Sequence, residues 1–390
     1  MDVDVIRPEH VVVLRELLAN PTMTKAELAG ASGWARNTVS QRLAELIDAG
    51  WVSEAEDAAQ RGLGRPSSLY RFREGRALTF VAEFGQDQLH ATLVTLRGRV
   101  LAATTVPIDL GGGPDAAART AADVLARTLD DGRIRRDDVA VAVVGVASPV
   151  DERHRAINPI SAPGWFGADL DATFSSVLDL PVLAENDANL MAVGAARRSA
   201  ADGVVVFVKV ALGIGAGTVV SGRLQRGLLG LAGELGHTPV SRAAGLPCTC
   251  GNTGCLNRIA AVEPLVGAAR DAGLEIGGFD DFERLAAEAD PTVLGLIRQA
   301  GRDIGEALVG VATVLAPERV VLGGRLALIG EHLAAGVREA LYTRVLPDLT
   351  RSLVIESSTD HHRDAVLGAA ALAQTWVLDH AARSRGAVDR

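Results

Sequence analysis

Apolar residues first recur at helical spacing just inside the chain. Val11, Val12, Leu14, Leu17 and Leu18 line one side of a run that opens after Pro8, a residue suited to a first turn, and Asn20-Pro21 stops it. Thr24 with Glu27 three positions later makes a capping box that predicts a helix over Lys25 to Ala31. Gly33 then turns the chain into another helix, Ala35 to Ala49, closed by Gly50. Val39, Leu43, Leu46 and Ile47 fall on one face of it, which leaves Arg36, Asn37, Thr38, Ser40, Gln41 and Arg42 on the exposed side near its start. Two short helices around a glycine turn form a helix-turn-helix. Trp51 to Glu54 and Ser68 to Phe72 read as two short strands around a loop holding Arg61 and Arg65, the outline of a wing.

From about Thr79 the pattern turns β-rich and then alternates strand and helix. Residues 79–107 give strands and turns, a helix follows near Ala116 to Leu129, and Val139 to Val146 is an unbroken apolar strand. A glycine-broken hairpin over Val204 to Leu224, a long helix from Thr292 to Leu315 and the apolar strand Arg319 to Leu322 repeat that order. Two similar α/β halves are implied, and a cleft between halves is the usual place for a small ligand.

Composition narrows the class. The chain has 390 residues, 48% hydrophobic and 22% charged, enough apolar material for a large core divided over two or three domains. No apolar run approaches the ~20 residues of a membrane span, and the start, Met1-Asp2-Val3-Asp4-Val5, is unlike a signal peptide, so a cytoplasmic protein is expected. A net charge of -9 excludes a protein that coats nucleic acid by bulk electrostatics. Local charge differs: residues 61–73 carry Arg61, Arg65, Arg71 and Arg73 with no acid among them, placed where a wing would touch phosphates or a minor groove. Exposed Arg, Asn, Thr, Ser and Gln are the side chains that read bases and phosphates, although a protein-protein module of the same shape stays open.

The three cysteines, Cys248, Cys250 and Cys255, lie within eight positions and cannot close on themselves as a disulfide framework. With His237 they supply three thiolates and an imidazole, a full tetrahedral set for Zn2+ that leaves no position for water, so the site would be structural. Buried or redox cysteines are the alternative. Glu185-Asn186-Asp187-Ala188-Asn189 follows an apolar stretch and should sit where a strand opens into a helix. Packed carboxylates and amides suit a polyhydroxylated ligand, since each hydroxyl both donates and accepts, but the same residues also serve as helix caps. Gly233-Glu234-Leu235-Gly236-His237 sets another carboxylate three residues before the proposed metal ligand.

The ordered set ENDAN, GIGAG, GELGH, CTCGNTGC and VVLGG, behind a helix-turn-helix with a wing reading LGRPS, resembles the ROK family, specifically its transcriptional regulators, from about Ala26 to Ala370. That resemblance implies an α/β protein in which an N-terminal winged helix-turn-helix is joined to an actin-like, RNase H-like, two-lobed sugar-kinase-type body. The winged helix would occupy 1–75 and the body 76–390, with one lobe over 76–186 plus a C-terminal helix near 364–390 and the other over 187–363. Matched by position, Asn186, Asp187, Glu234 and His237 fall on the family's sugar site, where Asp187 is the general base in members that are kinases, and Asn257 stands where the family has a sugar-contacting Glu. His237, Cys248, Cys250 and Cys255 fall on its zinc ligands.

Several departures bear on activity. Where kinase members have an Asp-x-Gly-x-Thr loop this chain reads Glu83-Phe84-Gly85-Gln86-Asp87, and where they have Gly-Thr-Gly it reads Ala211-Leu212-Gly213. Pro149-Val150 replaces a Pro-Gly, and Gly323-Gly324 is either an adenosine-side remnant or a tight turn. Phosphoryl transfer is almost wholly positioning and electrostatics, so losing both phosphate loops should abolish turnover and leave no enzyme. The expectation is a sugar-responsive regulator, a repressor, that binds a palindromic operator as a homodimer or homotetramer. Arg36, Asn37, Thr38, Ser40, Gln41 and Arg42 would enter the major groove, with Arg61 and Arg65 on the wing. The effector would be a sugar or sugar phosphate. An active sugar kinase with an appended DNA-binding domain, or a regulator answering to a protein partner, are the rival readings.

Overall fold

A computed structural model describes residues 6–55, 68–157, 162–200 and 202–383. They divide into two compact units, one of Met1–Gly145, Ser161–Ala184 and Ala369–Arg390, the other of Val146–Ile160 and Glu185–Gly368. Among the described residues no helix is long and apolar enough to cross a membrane.

The first unit opens with α1 (Pro8–Ala19), β1 (Met23–Thr24), α2 (Lys25–Ser32), α3 (Arg36–Asp48), β2 (Val52–Ala55) and β3 (Leu69–Phe72), the last two forming with β1 a small sheet in the order β1-β3-β2. The capping box is present: the Thr24 hydroxyl accepts from Glu27 N at 3.2 Å and the Glu27 carboxylate accepts from Thr24 N at 2.7 Å. Val13, Leu14, Leu17, Leu28, Val39, Leu43 and Leu46 are buried together with Trp51 and Phe72. Ile47, expected on the buried face, is 37% exposed. Val39, Leu43 and Leu46 already fill the stripe that faces the core, and one further residue is turned about 100° away from Leu46 to its margin.

A polar cluster ties α1 to α3. Buried His10 accepts at Nδ1 from the Arg7 backbone N–H, so Nε2 donates to Glu45 at 2.6 Å, and Arg42 donates to the same carboxylate at 2.9 Å. Those bonds from His10 and Arg42 hold Glu45 down to about 2, from an ordinary 4.5. A depressed carboxylate stabilises the fold above its unfolded value, and the contribution is lost as pH falls through the folded one. Glu45→Gln should therefore unfold at lower urea than the parent protein at pH 7, with the gap closing between about 4.5 and about 2. Equal midpoints at pH 7 would mean that these bonds contribute nothing.

The rest of the first unit runs β4 (Leu78–Phe84), β5 (Gln88–Val94), β6 (Val100–Pro107), α4 (Gly113–Gly132), β7 (Val139–Val146), α5 (Leu170–Leu178) and β8 (Val182–Asn186). The second unit follows with α6 (Asp187–Ser199), β9 (Val204–Val210), β10 (Ile214–Val220), β11 (Arg223–Leu224), α7 (Asn257–Ala260), α8 (Val262–Asp271), α9 (Phe279–Ala287) and α10 (Pro291–Leu315). It continues through β12 (Arg319–Gly323), α11 (His332–Tyr342), α12 (Pro347–Ser352) and β13 (Val354–Ser357), and α13 (His361–Arg383) closes the described chain.

The repeat read from the sequence is a repeat of topology. One sheet has the order β6-β5-β4-β7-β8 and the other β11-β10-β9-β12-β13, so each lays its first three strands as a meander and adds the fourth beside the first. Fully buried β7 is a continuous apolar run, and β4, β9 and β12 are mostly apolar, because both sheet faces are covered. Gly323-Gly324 has a packing reason of its own: a Cβ on Gly323 would sit 2.2 Å from the Phe207 ring, and one on Gly324 2.4 Å from the Val210 carbonyl oxygen. The pair is a tight turn off β12.

Candidate functional site

Strand β8 delivers its last residues to the start of α6. Asn186 is extended and caps the helix, its Oδ1 accepting from Asn189 N at 3.1 Å while its Nδ2 donates to the Ser148 carbonyl at 3.2 Å. Its capping role is thus real, and it fixes Asp187 in the first helical turn. Buried Glu185 accepts from Asn189 Nδ2 at 2.8 Å and from Arg226 Nε at 2.7 Å. Buried Asn189 Oδ1 has no hydrogen-bond partner among the described residues, an acceptor left over within this cluster.

Asp187 is buried and forms an ion pair with Lys209 Nζ from β9. Glu234, half-buried, comes close enough for the Asp187 charge to act on it: burial first, and Asp187 second, push the Glu234 carboxyl above its usual range. The chain can place Glu234 there because Gly233 has φ +98 and lies against the sheet, its carbonyl accepting from Ala216 N at 2.7 Å. Asn257 also serves this region, accepting from Ile214 N at 2.8 Å and so pinning the turn between β9 and β10. That turn is Ala211-Leu212-Gly213, with the alkyl side chain of Leu212 at its centre.

His237 links this group to the cysteines. Its Nε2 lies 3.8 Å from Glu234 and its Nδ1 3.7 Å from Cys248 Sγ, while Cys250 and Cys255 Sγ are 3.6 Å apart. All four ligand atoms lie within 4.8 Å of one another. Metal-sulfur bonds of about 2.3 Å in a tetrahedron give edges of about 3.8 Å, so three thiols and an imidazole in this arrangement could hold a metal ion. Gly251 and Gly254, at φ +91 and +83, make the turns that aim the sulfurs, and Cys248 N donates to the Asn252 carbonyl at 2.8 Å. Burial lowers His237, favouring the neutral ligating imidazole. Burial and the neighbouring thiols push Cys255 up to about 12, a proton that a metal would replace. With Nδ1 toward the metal position, Nε2–H is left to face Glu234, the usual outer partner of a ligating histidine.

At the other candidate surface, Arg36, Asn37 and Gln41 are exposed at the start of α3, with Thr38 and Ser40 half-buried beside them. Arg42 does not join them. It turns toward α1 and pairs with Glu45 at 2.9 Å and Glu9 at 3.5 Å, because two carboxylates within reach compete with open solvent. Arg61 and Arg65 lie outside the described residues.

Lys209 and Arg226 escaped the sequence reading. Lys209 did leave a signal, a lone charge in the apolar strand Val204-Val205-Val206-Phe207-Val208-Lys209-Val210, which demands a partner when the strand is covered on both faces. Arg226 sits in a glycine-rich loop and gave none.

The chain matches the ROK family over residues 80–376 and a winged helix-turn-helix DNA-binding family over residues 12–53. It belongs to the ROK family. It is 24% identical over 379 residues to the xylose repressor of Caldicellulosiruptor bescii, covering 93% of this chain and 94% of that protein. It is 31% identical over 301 residues to the N-acetylmannosamine kinase of Salmonella heidelberg, covering 76% of this chain and 98% of the kinase. Among solved structures, a ROK family transcriptional regulator described as a homolog of the E. coli MLC protein superposes with a TM-score of 0.77 at 23% identity, covering 92% of each chain. Repressors and kinases are thus both among its relatives.

Proposed function

We propose that this protein is a sugar-responsive, DNA-binding transcriptional repressor without kinase activity, acting in the cytoplasm as a homodimer or homotetramer on a palindromic operator. The observation that carries the reading is the Lys209–Asp187 ion pair. A general base must accept a proton from the substrate hydroxyl, and here the Lys209 ammonium already donates to the Asp187 carboxylate oxygen that would have to take it. Leu212, where kinase members have a hydroxyl, supports the same conclusion.

In this reading Asp187, Glu234 and Asn186 meet sugar hydroxyls, with His237 and Asn257 holding the neighbouring loops. Zn2+ on His237, Cys248, Cys250 and Cys255 is structural, fixing the loop that aims Glu234. Three carboxylates, Glu185, Asp187 and Glu234, favour an unphosphorylated sugar at this position. Alignment with xylose repressors over nearly the whole chain supports a repressor and puts xylose first among candidates. Arg36, Asn37, Thr38, Ser40 and Gln41 would read the operator, two copies entering successive major grooves.

A ligand changes DNA affinity only through its differential affinity for the two states, and a coupling of ~1–3 kcal/mol gives roughly 5- to 150-fold weaker operator binding. Fluorescence anisotropy on the protein's own upstream DNA, titrated with xylose and other sugars with and without ATP, is the test. One sugar should weaken binding by a factor in that range with no effect of ATP, and Asp187→Asn should remove the response while DNA binding persists. ADP released in step with sugar would instead return the protein to the kinases.

A further inference from the structure

A cleft of about 710 Å3 opens within the first unit, where the winged helix meets the β4–β7 sheet. Six arginines line it: Arg71 and Arg73 at the end of β3, Arg76 in the segment leading to β4, Arg97 and Arg99 in the β5–β6 turn, and Arg135 ahead of β7. Two acids, Glu74 and Asp138, share the lining, so the cleft is strongly positive in a chain of net charge -9.

Those two carboxylates are already divided. Glu74 accepts from Arg99 at 2.7 Å and lies 3.7 Å from Arg97, and Asp138 holds Arg135 at 2.6 Å. Arg97 also donates to the carbonyl oxygens of Leu17 and Asn20 at the negative end of α1. Arg76 lies over the Trp51 indole, 5.4 Å from its centre, and the Nε atoms of Arg76 and Arg97 are buried with no hydrogen-bond partner among the described residues. No carboxylate pairs with Arg71, Arg73 or Arg76 among the described residues; Arg71 reaches only the Ser53 hydroxyl, at 3.4 Å.

We infer that this cleft binds a small phosphate-bearing molecule. Guanidinium forks match phosphate oxygens in pairs, and a dianion would engage the arginines that Glu74 and Asp138 only partly neutralise. The operator backbone is the other source of phosphate. It is disfavoured because Gly50, just beyond the C-terminal end of α3, lines the cleft, about 20 Å along the helix from Arg36 at ~1.5 Å per residue. The base-reading side chains start at the opposite end. Since the winged helix supplies one side of the lining and the sheet the other, an occupant would brace the DNA-binding module against the body. This inference stands apart from the sugar reading, which concerns Asp187 and Glu234 in the second unit.

The test is calorimetry of the full chain with pyrophosphate, with glucose as the uncharged control, on the parent protein, on Arg99→Ala/Arg135→Ala and on Asp187→Asn. Side chains of Arg99 and Arg135 are 61% and 70% exposed, so the double variant should fold, which thermal unfolding checks. One pyrophosphate per chain should bind the parent and Asp187→Asn alike, and bind the double variant about tenfold or more weakly, the loss expected for one charge-assisted hydrogen bond. Operator affinity measured without pyrophosphate should be the same in parent and double variant. Equal pyrophosphate binding by all three proteins, or none by the parent at millimolar concentration, overturns the inference. So does a double variant with weaker operator binding and a shallower salt dependence, which would assign these arginines to the DNA backbone.

Discussion

Cys255→Ser is expected to leave the protein unable to hold a metal ion at the cysteine cluster and with a collapsed ligand loop. Cys255 is fully buried, its backbone pairs with Pro239, and the next residue donates from its N–H to the Thr238 carbonyl at 2.9 Å. The sulfur, the strand pairing and His237 therefore act on one short stretch. A serine hydroxyl ionises too weakly to replace a thiolate, and a closed four-ligand site that loses a ligand loses most of its affinity. Structural zinc is worth about 10–16 kcal/mol in small zinc peptides, where it is the whole folding free energy. Here two packed sheets would survive, so the loss should be local: metal analysis should fall from about one zinc per chain to a small fraction, and sugar binding should go with it. Cys250→Ser, at an exposed cysteine, should lose the metal while disturbing the core less. Full zinc content in Cys255→Ser would remove the site from consideration.

Gly233→Ala should be the most damaging single methyl in the second unit's ligand loop. A Cβ there would lie 1.8 Å from the Ala216 carbonyl oxygen, on a backbone at φ +98 that L side chains rarely adopt. The backbone strain costs about 1–3 kcal/mol and the overpacking about as much again, so a loss of about 2–6 kcal/mol is expected. Relief requires the loop to lift off the sheet, which carries Glu234 away from Asp187. Gly222→Ala is the control, with φ +72 but no atom within 4 Å of the added carbon. It should cost only about 1 kcal/mol and leave sugar binding intact. Similar denaturation midpoints for the two variants would show that the Ala216 contact gives way cheaply.

Local signals were legible in the sequence because they are made within a few residues. The capping box at Thr24 and Glu27, the β8-to-α6 opening at Asn186 and the cysteine cluster all appear in the structure where spacing puts them. The duplicated strand order was legible for a related reason, since a hairpin, a helix and an apolar strand each announce themselves locally. What stayed hidden are pairs made across the fold: Asp187 with Lys209, Glu185 with Arg226, and Arg97 with the end of α1, separated by 22, 41 and up to 80 residues. Such contacts leave no periodicity. Arg42 shows the same limit at short range, because its position on the helix gave its direction from the axis but not the pull of Glu9 on the neighbouring helix.

The Lys209–Asp187 pair also has an evolutionary reading. Suppose a descendant of this protein lost the lysine. Its carboxylate would be released, yet in the reading proposed above Leu212 would still stand where a kinase needs a hydroxyl, and Glu83 would still lie buried in β4. If the protein is the non-catalytic repressor proposed above, no single substitution would give turnover, and selection for phosphorylation would find no first step to reward. In that reading the pair would work as a ratchet: drift would alter which ligand this scaffold senses far more readily than it would turn the scaffold to catalysis.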